Sequence, residues 1–384
     1  MSRNEGFNWL NCRSGPRVPR AAPRSTVRPR TRPGRPGAPA AARGGAEPSA
    51  GGGQQRPQPR RRRARPAENP ALSRSSSPTP WDDCALRVAT LGDVLLDVVV
   101  LLAEPLAPGG DVRAVNRAGA GGQAANVAAW AAELGAEARC IAKRGDDPAG
   151  ELVARELDAR GVELVGPVAA GETGVVVSVV QEGDRSLASD RGVAPSLAPE
   201  ELDHAWLACD VLHLSGYALL REPIAAAALL AARLARQQGA RVSVDLAAWT
   251  EIRSYGPVRF RELLDALAPD VLFATEAEWE LLGGAYLAAP VGVLKRGARG
   301  CTVFTEDAKL DFAAVDAEVV DPTGAGDALA AGFLLGLEAP PAKPAAPGED
   351  PGRLRRPVGG SLEEAARRGL DAAARCVAKV GSLP

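Results

Sequence analysis

Near its C-terminal end the chain reads DPTGAGDALAAG, residues 321–332. Gly324, Ala325 and Gly326 open an apolar run with helical spacing. A helix start made of such small residues presents bare backbone N–H groups along a favourable dipole, which together hold an anion. The motif lacks the lysine that a phosphate-wrapping loop carries. Asp327 falls in the first helical turn. Its plainest role is to stabilise the helix by about 0.3–1 kcal/mol. Its chemical role is that of a general base beside the anion hole, an effect of roughly 10²–10⁴-fold in rate. Phosphoryl transfer depends mainly on positioning and charge stabilisation, so an anion hole with a base is a sufficient core for it.

A second glycine cluster, GAGGQAAN at 119–126, contains a G-x-G-x-x-A pattern. It does not open a first βαβ unit, and no acidic residue ends a strand ~20 residues on, so the dinucleotide reading is weak. The alternative is that Gly121 and Gly122 let backbone approach a small ligand, with Asn126, one turn into the helix, facing it as donor and acceptor. Asp245 ends the apolar strand RVSVD, and carboxyl ends of strands are where α/β folds bind ligands; a phosphate-side or metal-side role and a structural role both stay open. His213 lies inside an apolar strand pattern and reads as a core histidine, His204 as a surface one. Arg185 and Arg191 flank a strand-like stretch and read as solvated charges, although either would reach an acidic ligand.

The elements that must carry these residues begin abruptly. Residues 1–80 hold 17 arginines, no lysine and three glutamates, together with 14 of the 32 prolines. Such a segment cannot bury enough apolar surface to order itself, so 1–85 is read as a disordered extension. It is either a basic arm for an anionic surface or nucleic acid, or the translation of GC-rich DNA upstream of the true start, since Met1 is the only methionine. No apolar h-region supports a signal peptide. Six scattered cysteines form no C-x-x-C pair, which excludes a zinc ribbon or a disulfide framework. No apolar run is long enough to span a bilayer. A reducing cytoplasm is the expected compartment.

From Arg87 onward, apolar strands alternate with amphipathic helices. GGQAANVAAWAAELG, DPAGELVARELDARGV, PIAAAALLAARLARQQG, FRELLDALAP and the short AEWELLG predict helices; RVATLGDVLLDVVV, ARCIAKRG, DVLHLSG, RVSVDLA, DVLFAT, VGVLKRG, CTVFT and AEVV, just before Asp321, predict strands. That rhythm implies a mainly parallel sheet covered on both faces. Two strand-like stretches, near 98–118 and 172–190, fall outside it and predict a small sheet projecting as a lid. The Pro/Gly-rich 339–360 predicts an exposed loop.

Together these motifs resemble the ribokinase-like (PfkB) family of carbohydrate and nucleoside kinases. DPTGAGD looks like its C-terminal signature, GAGGQAAN like its N-terminal glycine signature, GDVLLD (92–97) like its first strand, and VLKRGARG (293–300) like its nucleotide-binding strand–turn. The resemblance runs from about Arg87 to Pro384. It implies a three-layer α/β/α sandwich with a mainly parallel central sheet and a small β-sheet lid. It also implies an ATP-dependent phosphotransferase acting on a hydroxymethyl group of a sugar or sugar-like molecule. A nucleoside kinase of the same fold, with Tyr217 or Trp249 stacking a base, and a non-catalytic sugar binder remain the alternatives. By resemblance Asp327 is the catalytic base and Gly324, Ala325 and Gly326 the anion hole. Asp97, Gly121, Gly122, Gln123 and Asn126 bind the acceptor, and Asp93 is less certain. Lys295, Gly297, Gly300, Thr275 and Thr323 lie on the ATP side, with Lys295 set against a phosphate or merely snorkelling at the surface. The family's N-x-x-E motif reads TEAE here, so Glu278 organises Mg²⁺ while Thr275 replaces an asparagine. Asp321 either shapes the turn or lends its backbone to a K⁺ site. The expected partners are the small acceptor and a second subunit meeting the lid, with no membrane; nucleic acid is the weaker reading.

Overall fold

The computed structural model describes residues 85–106, 109–181, 184–284, 289–338 and 361–384, with backbone alone for 184, 185 and 338. The expectations for the extension 1–85, Ala85 aside, and for the loop 339–360 lie outside the described residues. All described residues belong to one unit, Arg74–Pro384.

The chain begins its central sheet with β1 (Arg87–Leu91), leaves it for β2 (Leu95–Leu102) and β3 (Ala114–Gly121), and returns through α1 (Gln123–Glu133) to β4 (Glu137–Ile141). A two-residue strand β5 (Arg144–Gly145) leads to α2 (Pro148–Asp158), capped by the Asp147 carboxylate on the Gly150 N–H. Next come β6 (Val162–Val165), the short β7 (Val168–Ala169), and the hairpin strands β8 (Thr173–Gln181) and β9 (Asp184–Gly192). A regular alternation follows: β10 (Val211–Ser215), α3 (Ile224–Gln237), β11 (Arg241–Asp245), α4 (Trp249–Tyr255), α5 (Pro257–Leu267), β12 (Val271–Thr275), α6 (Glu276–Leu281) and β13 (Val291–Lys295). The strands β14 (Cys301–Phe304) and β15 (Lys309–Phe312) precede the last helices, α7 (Ala325–Glu338) and α8 (Leu362–Val377).

The nine-stranded sheet runs β15-β14-β13-β12-β11-β10-β1-β4-β6. Neighbouring strands pair parallel except at the edge, where β14 runs antiparallel to both β13 and β15. Apolar residues cover both faces. Trp130, Phe273 and Phe333 belong to a core with α1, α2, α7 and α8, while Leu91, Leu212 and Phe260 belong to a core with α3, α4 and α5. This is the expected three-layer sandwich. The expected lid is a separate sheet in the order β3-β2-β8-β9, its strands running a few residues beyond the expected limits.

Three expectations need correction. AEVV is not a strand: residues 313–320 pair with no neighbour, and the N–H groups of Val320 and Asp321 instead donate to the Val377 carbonyl at the end of α8 (2.7 and 3.2 Å). GDVLLD is not one strand, because β1 stops at Leu91 and Asp97 lies on β2 in the lid sheet, opposite Gly119 and Val176. Arg191, expected in solvent, is buried at the end of β9 with 9% of its side chain exposed; the side chain of Arg185 falls outside the described residues.

Candidate active site

The parallel strands end on one edge of the sheet, and there Ser215 closes β10, Asp245 closes β11, Thr275 closes β12 and Lys295 closes β13. The N-terminal ends of α1 and α7 meet on the same edge, and one hydrogen bond joins them. Asn126 Nδ2–H donates to Asp327 Oδ2 across 2.8 Å. Two residues 201 positions apart, predicted for acceptor and for proton transfer, are therefore side by side.

The acceptor side is built from close backbone approaches. Gly122 caps α1 with φ 94°, and a Cβ there would stand 2.4 Å from the Asp93 carbonyl. At Gly121 a Cβ would stand 2.2 Å from the Asp97 carboxylate, so glycine makes the room that the lid carboxylate occupies. Asp93 and Arg191 form a buried bidentate pair, Nε–Oδ2 2.5 Å and Nη2–Oδ1 2.8 Å, and Nη2 also donates to the Tyr217 carbonyl. The lid is thus pinned to the floor of the cleft at the end of β9. Around this pair, both polar atoms of Gln123, Nη1 of Arg191 and Oγ of Ser215 are buried without a partner among the described residues. Each such group costs about 1–3 kcal/mol when left unmade, and a hydroxyl-rich molecule would satisfy them.

The anion side carries more positive charge than a bare helix end. Lys295 is not a surface lysine: its ammonium lies 2.7 and 2.6 Å from the two oxygens of Asp245, which is fully buried. A Cβ on Gly326 would stand 3.1 Å from Lys295 Nζ, which sets the ammonium at the first turn of α7. Burial works against the lysine's charge, but Asp245, Glu278 and Asp327 outweigh it and raise its pKa. Burial pushes the Asp245 carboxyl up to about 7, with Lys295 pulling against the rise. The Ala325 N–H makes a long 3.4 Å contact with the Pro322 carbonyl, weak enough for an incoming anion to displace.

Asp321 shapes the turn. Its fully buried carboxylate accepts from the Thr323 N–H and from the Gly381 N–H, both at 2.9 Å, and so ties the phosphate loop to the C-terminal turn. Thr323 Oγ1 is buried without a partner among the described residues. Thr275 and Glu278 form a reciprocal capping box: the Thr275 N–H donates to Glu278 Oε2 (2.8 Å) and the Glu278 N–H to Thr275 Oγ1 (3.4 Å). One oxygen of a glutamate that is 3% exposed is therefore committed to the helix cap, which leaves a single oxygen for a cation. Among the described residues no cluster of three or more acidic, histidine or cysteine side chains could hold a metal. Gly297 is exposed with φ 58°, whereas Gly300 is buried where a Cβ would strike the Phe312 carbonyl, so its glycine serves the close packing at the open end of the β14–β15 hairpin. His213 is a core residue, with Nδ1 2.9 Å from Ser243 Oγ and Nε2 buried without a partner.

Sequence reasoning missed two parts of the site. The Asp93–Arg191 pair joins residues 98 positions apart, and nothing local marks it. Ser382, in the C-terminal turn, places its hydroxyl 3.0 Å from Asn126 Oδ1 and 3.3 Å from Asp97 Oδ2.

A doubly covered sheet with a glycine-rich helix start at its carboxyl edge, and a small separate sheet beside it, defines a ribokinase-like fold. The family described as pfkB family carbohydrate kinase matches residues 86–384, and the chain belongs to it. It is similar to an ATP-dependent ribose-1-phosphate kinase of Halopiger xanaduensis, 36% identical over 264 residues that span 65% of this chain and 84% of the relative. A fructokinase of Escherichia coli is 32% identical over 270 residues, again 65% of this chain and 84% of the relative. Among solved structures, adenosine kinase from Sinorhizobium meliloti superposes with a TM-score of 0.65 at 25% identity, covering 78% of this chain and 96% of its own. No helix among the described residues is long and apolar enough to cross a membrane.

Proposed function

We propose that this kinase transfers the γ-phosphoryl group of ATP to a hydroxymethyl group of a sugar or sugar-like acceptor. The observation that carries the reading is the 2.8 Å hydrogen bond between Asn126 and Asp327, which sets the acceptor-binding helix against the first turn of the anion hole. Asp97 and Asn126 hold acceptor hydroxyls over Gly121 and Gly122, with Gln123 beside them. Asp327 takes the proton of the attacking hydroxyl as its oxygen bonds to the γ-phosphorus and the bond to the departing ADP oxygen breaks. The N–H groups of Gly324, Ala325 and Gly326 receive the charge on the phosphoryl oxygens, and the Lys295 ammonium adds to them. Thr275, Gly297, Gly300 and Thr323 fall on the nucleotide side. The names of the two relatives, an ATP-dependent ribose-1-phosphate kinase and a fructokinase, support ATP as donor and a sugar as acceptor.

Mg²⁺ fits the residues present. It binds through one or two carboxylates together with phosphates and water, and the remaining oxygen of Glu278 is such a ligand. When bound it neutralises phosphate charge. Asp321, its carboxylate committed to two backbone N–H groups, shapes the loop.

A sugar is preferred to a nucleoside, because each of the two rings named for stacking a base already has an arginine over one face. Arg191 lies over Tyr217 at 5.6 Å and Arg253 over Trp249 at 4.3 Å. On the lid, Val115 and Leu187 are 59% and 54% exposed and by register share the face of Asp97, an apolar surface suited to a second subunit.

The test is ADP release by the purified chain against ribose, ribose 1-phosphate, fructose, ketodeoxygluconate and adenosine. Release with a sugar or sugar phosphate is expected, and no release with any acceptor sinks the reading. Asp327→Asn is expected to lower kcat by roughly 10²–10⁴-fold while thermal unfolding and ATP binding by calorimetry stay near wild type. An unchanged kcat would remove Asp327 from the role of base.

A further inference from the structure

The turn after α8 is built into the site. Trp130 Nε1–H donates to the Ser382 carbonyl (2.9 Å), the Gly381 N–H to Asp321 Oδ2 (2.9 Å), and Ser382 is 3% exposed. Its Cα lies 2.6 Å from where a Cβ on Gly324 would stand, so the serine backs directly onto the anion hole. Backbone and burial therefore hold its hydroxyl in one place, 3.0 Å from Asn126 Oδ1 and 3.3 Å from Asp97 Oδ2.

The consequence falls on Asn126. A primary amide has one accepting end and one donating end, and its neighbours decide which way it faces. The Ser382 hydroxyl is a donor toward two acceptors, and the shorter contact is to the amide oxygen. With Oδ1 turned to Ser382, Nδ2 must turn to Asp327, where the 2.8 Å hydrogen bond is found. The reversed amide would set its oxygen against the Asp327 carboxylate, acceptor against acceptor. The acceptor-only Asp327 carboxylate sets the orientation, and the Ser382 hydroxyl braces the amide oxygen in it, so that Asn126 holds the base.

We propose that Ser382 is a positioning residue for phosphoryl transfer, its hydroxyl fixing the Asn126 amide and, through it, the Asp327 carboxylate. The inference rests on the kinase reading above. A general base works only within hydrogen-bond reach of the proton it takes, and misplacement by ~1 Å costs about 10²-fold. Ser382 touches neither reactant in this scheme, so its contribution passes through Asn126.

The experiment is a double-mutant cycle on kcat and KM, using an acceptor that wild type turns over. Ser382→Ala keeps Cβ and removes one buried oxygen; it is expected to lower kcat about tenfold with KM for ATP within about twofold of wild type. In an Asn126→Ala background the same change is expected to produce no further loss, since the path to Asp327 is already cut. Ser382→Cys, similar in volume but a weak donor, is expected to lose kcat in the same direction and serves if the alanine variant does not fold. Wild-type kcat in both serine variants, or an equal tenfold loss from Ser382→Ala with Asn126 absent, overturns the proposal. Wild-type turnover that survives the serine change sinks this inference alone, whereas a wild type that releases no ADP with any acceptor sinks the kinase reading and this one with it.

Discussion

Lys295 and Asp245 form a buried ion pair beside the first turn of α7, and that placement separates two roles that a mutation usually mixes. Taking charges out of water is expensive, and a buried pair is stable only while both partners remain. Here one partner is fully buried and the other has 10% of its side chain exposed. Lys295→Met leaves the Asp245 carboxyl uncompensated and is expected to cost about 3–5 kcal/mol of stability. Lys295→Met combined with Asp245→Leu removes both charges, and the midpoint of urea unfolding is expected to return most of the way to wild type. Turnover follows a different rule. If the ammonium faces the transferring phosphoryl group, the single and double variants lose kcat alike, by roughly 10²-fold. Recovery of kcat along with stability in the double variant would reduce the pair to a structural element. By contrast, the exposed bridge of Arg367 with Glu364 and Asp371 on α8 joins side chains at helical spacing, and such pairs are worth only a few tenths of a kcal/mol.

α7 carries the proposed anion hole at one end and packs along its length against α8, and small residues set the distance between the two. A Cβ at Gly332 would lie 2.5 Å from the Arg368 carbonyl oxygen. Gly332→Ala sets two effects against each other: alanine gains up to about 1 kcal/mol of helix propensity, while overpacking costs about 1–3 kcal/mol. The struck atom belongs to the backbone of a helix and cannot rotate away, so the clash wins. A net loss of about 1–2 kcal/mol is expected, read as a lower thermal midpoint, with kcat falling as the first turn of α7 shifts against Asn126; a raised midpoint would show that the helices separate freely. The elements legible in the sequence are those whose pattern is complete within themselves. The run of small apolar residues in α1, the Asp147 cap of α2 and the continuous apolar strands β10 to β13 each carry their own signal. The strands and α-helix that were missed, β6, β7, β15 and α4, are two to seven residues long and are fixed by a neighbour. AEVV read as a strand because valine is strand-like, yet Val319 and Val320 are 62% and 45% exposed with no strand beside them. The site divides in the same way. The glycines and Asp327 act through a local helix start and could be read in order, whereas Ser382 and Arg191 matter only through partners that the fold brings back from far along the chain.

Across the whole molecule, Asp245 and Lys295 of the cleft are the last residues of their strands, whereas the imidazole of His213 is buried inside one. His213 sits in β10 with no exposed surface, one ring nitrogen 2.9 Å from Ser243 Oγ and the other without a partner among the described residues. Burial, with a smaller push from the charge of Lys295, lowers its pKa to about 3. The unfolded chain binds a proton at this histidine near pH ~6.5, and the folded chain refuses it until about pH 3. At pH 7 neither state is protonated there and the group is silent. As the pH falls below ~6.5 the unfolded state gains a proton that the native state lacks, so stability declines by up to about 1.4 kcal/mol per unit, or about 2 kcal/mol by pH 5. Asp245 acts with the opposite sign. Its raised carboxyl lets the folded state hold a proton that the unfolded chain has already released, so its effect grows more favourable as the pH falls from about 7 toward ~4. The two therefore mask each other in wild type. They part in His213→Asn, which keeps Asp245 and removes the imidazole. The variant is less stable than wild type at pH 7, because the packing of the imidazole is lost. Between pH 7 and pH 5, however, urea midpoints should show the gap closing by about 2 kcal/mol, since only wild type carries the histidine's acid penalty. Parallel lines for the two proteins over that range would mean that the ring takes up its proton in the folded state, and that water or a rearranged Ser243 reaches Nε2.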